Sequence, residues 1–267
     1  MHRKVRIYLP ILIVLLLAGC RRHSGSEYAL EHEDKDAKEM MQGIWVNDDE
    51  GNLSFLVRGD SIFFPDTTSV PMKFWIYKDS IYVKGNDINR YKILTQAPHI
   101  LKFSNQAGDE VRLVRSDEEA ALTKYFFQPR PYAMNIFRTI NRDTIGEGGG
   151  KKYACSIRIE PTSERVVKSS MNDDGIEVDN IYLDNVAKVS IATDGKQIYA
   201  HSFRKAEFSK YVPQEFMAHS ILCDVQYNNA DTSAVYLDAI IGYPDASTSY
   251  VVGLKISKNG KLTTNLR

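Results

Sequence analysis

Between Gly43 and Arg115 the apolar residues come in short alternating runs, each stopped by turn-forming residues. Ile44-Trp45-Val46 leads into Asp48-Asp49-Glu50-Gly51-Asn52, and Leu53-Ser54-Phe55-Leu56-Val57 follows. Similar runs occupy residues 61–64, 72–77, 81–83, 91–94, 100–103 and 111–114. A period of two places alternate side chains on opposite faces of a strand. About eight such strands with turns between them predict an up-and-down antiparallel meander or barrel. Asp60-Ser61-Ile62-Phe63 and Asp79-Ser80-Ile81-Tyr82 repeat one pattern, Asp-Ser at a turn and an apolar-aromatic pair at the strand start, which hairpin geometry explains.

The second half alternates in the same way, with strands expected over residues 153–160, 181–193, 196–203, 219–227, 233–242 and 248–257. Asp194-Gly195-Lys196 and Asn259-Gly260-Lys261 are hairpin turns. Residues 204–211, with Ala206, Phe208 and Tyr211, predict one short helix. Residues 31–42 form a charged helix whose Met40-Met41 patch packs on the next domain. Residues 117–127 form another, with acids in its first turn and Pro129-Arg130-Pro131 at its end. Residues 141–152 contain Gly146, Gly148, Gly149 and Gly150 and read as a flexible link or long loop. The fold class is therefore mostly β. A small meander or barrel over 43–116 is joined through 117–150, a helix and a Gly-rich linker, to a β-sandwich-like domain over 151–267 with one short helix.

The amino terminus has the layout of an export signal. His2, Arg3, Lys4 and Arg6 precede an aliphatic run over residues 11–17, interrupted at its start by Pro10. The run is far shorter than the roughly 20 apolar residues of a membrane-crossing helix. Leu17-Ala18-Gly19-Cys20 resembles the lipobox of bacterial lipoproteins. That resemblance implies a signal peptide over 1–19, cleavage before Cys20, and diglyceride and palmitate chains on the new terminal cysteine. Each buried methylene contributes about 0.8 kcal/mol, so more than one chain anchors firmly. Residues 20–42 are then a tether with a short helix; Arg21-Arg22-His23-Ser24-Gly25-Ser26 has little to bury. An acidic residue after the cysteine would resemble an inner-membrane retention signal or a surface-export tag, and Arg21 stands there instead. The expected place is the periplasmic face of the outer membrane. Cleavage removes Arg3, Lys4 and Arg6 and no acid, so the balance of 34 basic and 34 acidic residues shifts slightly negative. Such a surface does not attract nucleic acid.

Two further resemblances concern the folded parts. Gly43-Ile44-Trp45 opening a meander is similar to the small lipocalin-like domains of Bacteroidetes lipoproteins, in which a Gly-x-Trp motif begins the first strand and the Trp closes the barrel base. The half from about Gly150, with Ser202-Phe203-Arg204-Lys205-Ala206-Glu207-Phe208 and Gly242-Tyr243-Pro244-Asp245-Ala246-Ser247, resembles an uncharacterised Bacteroidetes lipoprotein family, domain of unknown function 4738. That resemblance implies no activity and supplies no catalytic residue.

Candidate chemistry is sparse. Cys155 and Cys223 both sit in alternating apolar patterns and are expected to face inward. A disulfide between them would close a loop of roughly 70 residues and contribute about 4 kcal/mol by loop entropy; two separate buried thiols are the equal alternative. His99, His201 and His219 lack the spacing of a metal site, although His201 and His219 flank the predicted helix and can approach each other. Asn172-Asp173-Asp174-Gly175-Ile176-Glu177-Val178-Asp179 has oxygen ligands for calcium but not EF-hand spacing, and a solvated turn is the plainer reading. The glycines near 148 precede a strand rather than a helix, which argues against a phosphate loop. Phe63, Tyr77, Tyr82 and Tyr91 fill a core unless they project outward. No metal or cofactor is expected, and no serine or cysteine nucleophile has support. The leading expectation is a non-enzymatic envelope module that binds a protein or a glycan. A carrier of a small apolar ligand would need a barrel cavity of roughly 300 Å³ or more, and a hydrolase would need two clustered acids in a cleft.

Overall fold

The computed structural model describes residues 29–127, 132–133 and 139–267. Cys20, the signal-like segment and Pro129-Arg130-Pro131 lie outside the described residues. Eight antiparallel strands follow one another around a closed barrel: β1 (Gly43–Asn47), β2 (Leu53–Arg58), β3 (Ser61–Phe63), β4 (Met72–Tyr77), β5 (Ser80–Lys84), β6 (Ile88–Ala97), β7 (Ile100–Ser104) and β8 (Glu110–Arg115). The last strand returns to the first through Trp45↔Arg115 and Val46↔Val114, so neither has a free edge. The alternation read from the sequence sends Phe55, Val57, Phe74, Ile76, Leu101 and Phe103 inward. Of the four strand aromatics, Tyr91 lies in that core, while Phe63, Tyr77 and Tyr82 are half-exposed.

Both ends of the barrel are stopped by the chain itself. At one end lies helix α1 (Lys35–Met40), capped by the Asp34 carboxylate on the Ala37 amide. Met41, immediately after it, is fully buried in the barrel core. The Trp45 indole donates to the Met41 carbonyl at 2.8 Å, and the Arg115 guanidinium lies 5.4 Å from its ring centroid. At the other end sit Ile176 and Val178, which belong to the second half of the chain. The void left among Met41, Phe55, Tyr91, Phe103 and Ile176 is about 10 Å³, room for no more than a water. An apolar ligand therefore has no space inside the barrel. Eight short strands enclose only enough volume for their own side chains.

A four-residue helix α2 (Glu119–Leu122) and a 3-10 turn (Thr123–Phe126) follow, and Phe126 packs on Ile44 and Leu56 on the outside of the barrel. After β9 (Tyr132–Ala133) come β10 (Ile140–Gly148), β11 (Lys151–Met171), β12 (Glu177–Thr193) and β13 (Lys196–Arg204), in that sheet order, with β9 parallel to β12. A 3-10 turn (Lys205–Phe208) and helix α3 (Gln214–His219) lead to the second sheet, β14 (Ile221–Ala230), β15 (Ala234–Gly242), β16 (Ser249–Ser257) and β17 (Leu262–Leu266). Inner faces of the two sheets share one core, in which Tyr153, Ile157 and Val189 meet Leu237, Ala239 and Leu254. The Asp194-Gly195 turn is present, both residues at positive φ, which joins Thr193 to Lys196 in a two-residue hairpin. Among the described residues no helix is long and apolar enough to cross a membrane.

Two local expectations are corrected. Residues 141–152 are not a flexible link: β10 pairs with β11 from Ile140↔Ile159 to Gly148↔Lys151. The glycines are there because the second sheet comes close. A Cβ on Gly148 would lie 2.4 Å from the Asp231 carbonyl oxygen, and one on Gly146 would run into the Tyr227 ring. The second correction concerns β14. Its register shifts between Leu222 and Asp224, so Leu222 and Val225 join the sandwich core. Cys223 is carried out of that face and is only partly buried. The helix α3 was not anticipated, because Pro213 supplies its entry in place of a side-chain cap.

Cys155 and Cys223 are free thiols. Burial pushes each thiol up to about 11, so neither is a thiolate near neutral pH. At pH 8 the folded protein is expected to leave both unreacted with Ellman's reagent, and urea without reductant is expected to release both. On the Cys20→Ser chain, two equivalents on denaturation support separate thiols; none would mean that Cys155 and Cys223 are bonded.

Candidate functional site

The β11–β12 hairpin is the element that organises the molecule. Its lower part belongs to the sandwich sheet. Between Pro161 and Arg165 its register shifts, with the Thr162 hydroxyl on the Asp184 carbonyl at 2.9 Å. Beyond this bulge the hairpin runs on to the barrel, and its tip at 172–176 is the acidic run considered for calcium. The tip is a turn, but a docked one. Asp174 is buried and accepts from Asn47 Nδ2 at 2.7 Å and Ser54 Oγ at 2.5 Å. The Glu177 amide donates to the Tyr91 hydroxyl at 2.9 Å. Asp179 takes the Asn86 amide at 2.7 Å and the Ser169 hydroxyl at 2.6 Å. Thr68 and Ser69, in the β3–β4 loop, bind Asn180. Each carboxylate oxygen of Asp174 and Asp179 thus accepts a hydrogen bond from the protein itself.

Where the hairpin crosses from sandwich to barrel, three other segments meet it and leave a groove of about 240 Å³. Lys168 and Ser169 come from β11 and Glu177 from β12. Asn86 and Asp87 come from the β5–β6 turn, which approaches so closely that a Cβ on Gly85 would be 2.9 Å from Asp179 Oδ2. His219 ends α3, and Tyr243 begins the β15–β16 turn. Lys168 Nζ donates to the Pro244 carbonyl at 2.7 Å, which ties the hairpin to that turn. His219 Nδ1 is 2.7 Å from the Val167 carbonyl. A carbonyl only accepts, so Nδ1 carries a proton; on a ring with that single proton Nε2 is left as an acceptor. The Tyr243 ring stacks on Phe216 at 4.1 Å between centroids, and Phe216 meets Tyr250 edge-on at 4.8 Å. The groove thus has a fixed aromatic side, one cation, two carboxylates and several neutral polar groups.

The other residues singled out in the sequence fall elsewhere. His201 and His219 have different partners: His201 Nε2 meets Glu207 Oε2 at 2.7 Å, and the same carboxylate caps the Arg204 amide at 2.8 Å. His99 is exposed in the turn between β6 and β7. Among the described residues no three His, Cys, Asp or Glu side chains gather to hold a metal ion. Among the described residues Asp184 is the one carboxyl held upward, chiefly by burial. It accepts the Leu222 and Asn185 amides at 2.8 Å each and faces Lys205 Nζ at 3.7 Å, which fastens β14 to β12. The Glu164 carboxylate is near enough to push Asp184 upward too, while Lys205 opposes it. The groove was not legible from spacing, because its residues are contributed by five separated segments.

A family model described as Domain of unknown function (DUF4738) matches residues 121–264, more than half of the chain. No curated protein matches.

Proposed function

The chain belongs to the domain of unknown function 4738 family, and on that premise we propose that it is a lipid-anchored protein of the cell envelope working as a non-enzymatic binding module. The observation that carries this reading is the filled barrel. With Met41 at one end and Ile176 and Val178 at the other, a ligand must be met on the outer surface, and the groove between barrel and sandwich is the concave place there with a fixed aromatic and converging polar groups. Leu17-Ala18-Gly19-Cys20 supports the anchor, with Cys20 the lipidated residue and the periplasmic face of the outer membrane the location. The membrane is then one partner, and an envelope protein or glycan the other.

The test is site-specific photo-crosslinking of the full chain in intact cells. A photoreactive residue at Asp87, exposed on the rim of the groove, is expected to give a discrete adduct. The same residue at Arg112, on the barrel wall beside Asp48, is expected to give none. Equal yields at both positions would sink the groove as the binding surface. For the anchor, Cys20→Ser is expected to abolish incorporation of labelled palmitate; retained label would remove Cys20 from that role.

A further inference from the structure

We infer that the groove takes a neutral saccharide, one end of a glycan chain, an assignment that rests on the binding-module reading above. Three observations point to it. First, donors and acceptors are interleaved. Lys168 Nζ spends one proton on Pro244 and keeps two, Asn86 brings a side-chain amide, and Asp87, Glu177 and His219 Nε2 accept. Sugar hydroxyls donate and accept at once, so such a lining suits them. Second, Tyr243 is half-exposed and held in place by Phe216 behind it, which gives a preset surface for the C–H face of a pyranose at little entropic cost. Third, the charges exclude the competitors. One lysine against two carboxylates does not concentrate phosphate, sulfate or nucleic acid, and Tyr243 is the only large apolar side chain, which leaves lipid without a site. The volume, about 240 Å³, falls below the roughly 300–1,000 Å³ of sites that engulf a whole drug-sized ligand. The groove therefore holds the end of a chain rather than its length.

The experiment is saturation-transfer difference NMR on the full mature chain. The probes are β-1,4-linked tetrasaccharides of glucose and of N-acetylglucosamine, with an oligogalacturonate as the anionic control. Saturation of ring protons is expected for at least one neutral probe and not for the anion. Two variants carry the assignment. Tyr243→Ala removes the aromatic surface, and Asp87→Ala alters a rim residue in an exposed turn without touching the core. Each is expected to reduce the signal at least tenfold. No saturation with either neutral probe, equal saturation by the anion, or an unchanged signal in Asp87→Ala would overturn the saccharide assignment. If crosslinking at Asp87 captured a protein while both neutral probes stayed silent, the binding-module reading would stand and this assignment alone would fall.

Discussion

Replacing Ile176 with aspartate is expected to destabilise the barrel by at least about 3 kcal/mol, although Ile176 lies outside the eight strands that form it. The side chain is 4 % exposed and closes the barrel core beside Tyr91 and Phe103. Removing a buried isoleucine costs about 2–5 kcal/mol, and an unpaired carboxylate in its place adds desolvation. For a chain of this size, that lowers the melting temperature by on the order of 10 °C. The readout is unusually clean because both tryptophans, Trp45 and Trp75, are in barrel strands. Their fluorescence reports the barrel alone, while Ellman reactivity of Cys155 reports the sandwich. An unchanged fluorescence midpoint in the variant would show that the hairpin tip rests on the barrel without holding it closed.

The second large effect is expected at Gly148. Valine there would press its Cβ against the Asp231 backbone, which no side-chain rotation relieves. Overpacking of this kind costs about 1–3 kcal/mol and more where the neighbour is fixed; about 3 kcal/mol is expected for Gly148→Val. Gly150→Ala separates crowding from conformation. Its φ is 73° but nothing lies within 4 Å of the added carbon, so only the left-handed backbone is penalised, at about 1 kcal/mol. Denaturant midpoints of the two variants are the measurement. If Gly150→Ala were the worse, the close approach of β10 to the second sheet would not be what selects glycine.

Strands such as β7, β8 and β15 could be read from alternation because one face is dry and the other is wetter; β2 and β12 are buried on both faces over part of their length. Gly43-Ile44-Trp45 also gave the barrel its first strand and its buried tryptophan. The readings that failed did so for reasons outside any local window. Gly146 and Gly148 resemble a loop until Tyr227 and Asp231 are brought beside them. Cys223 leaves its expected face because of one register shift, and a bulge has no dependable signature. Asn172 to Asp179 reads as a solvated turn, since the residues that bury it, Asn47, Ser54 and Tyr91, are far away in sequence. The groove residues are separated for the same reason: a site assembled where two folded units meet leaves no spacing to recognise.

The docked hairpin also sets an order of events. A chain threaded out amino terminus first, from the ribosome or through an export channel, releases all eight barrel strands before Ile176 and Val178 appear. Until then the barrel is an open cup with an apolar lining, and its last contacts are long-range ones of the slow-forming kind. A fragment ending at β8 lacks Ile176 and Val178, and a fragment cut to the matched residues 121–264 keeps them without the barrel they close. The residues matched by the family and the residues that complete the barrel core therefore do not coincide. Any attempt to express its halves separately must redraw the boundary through the middle of a hairpin, where no cut is harmless.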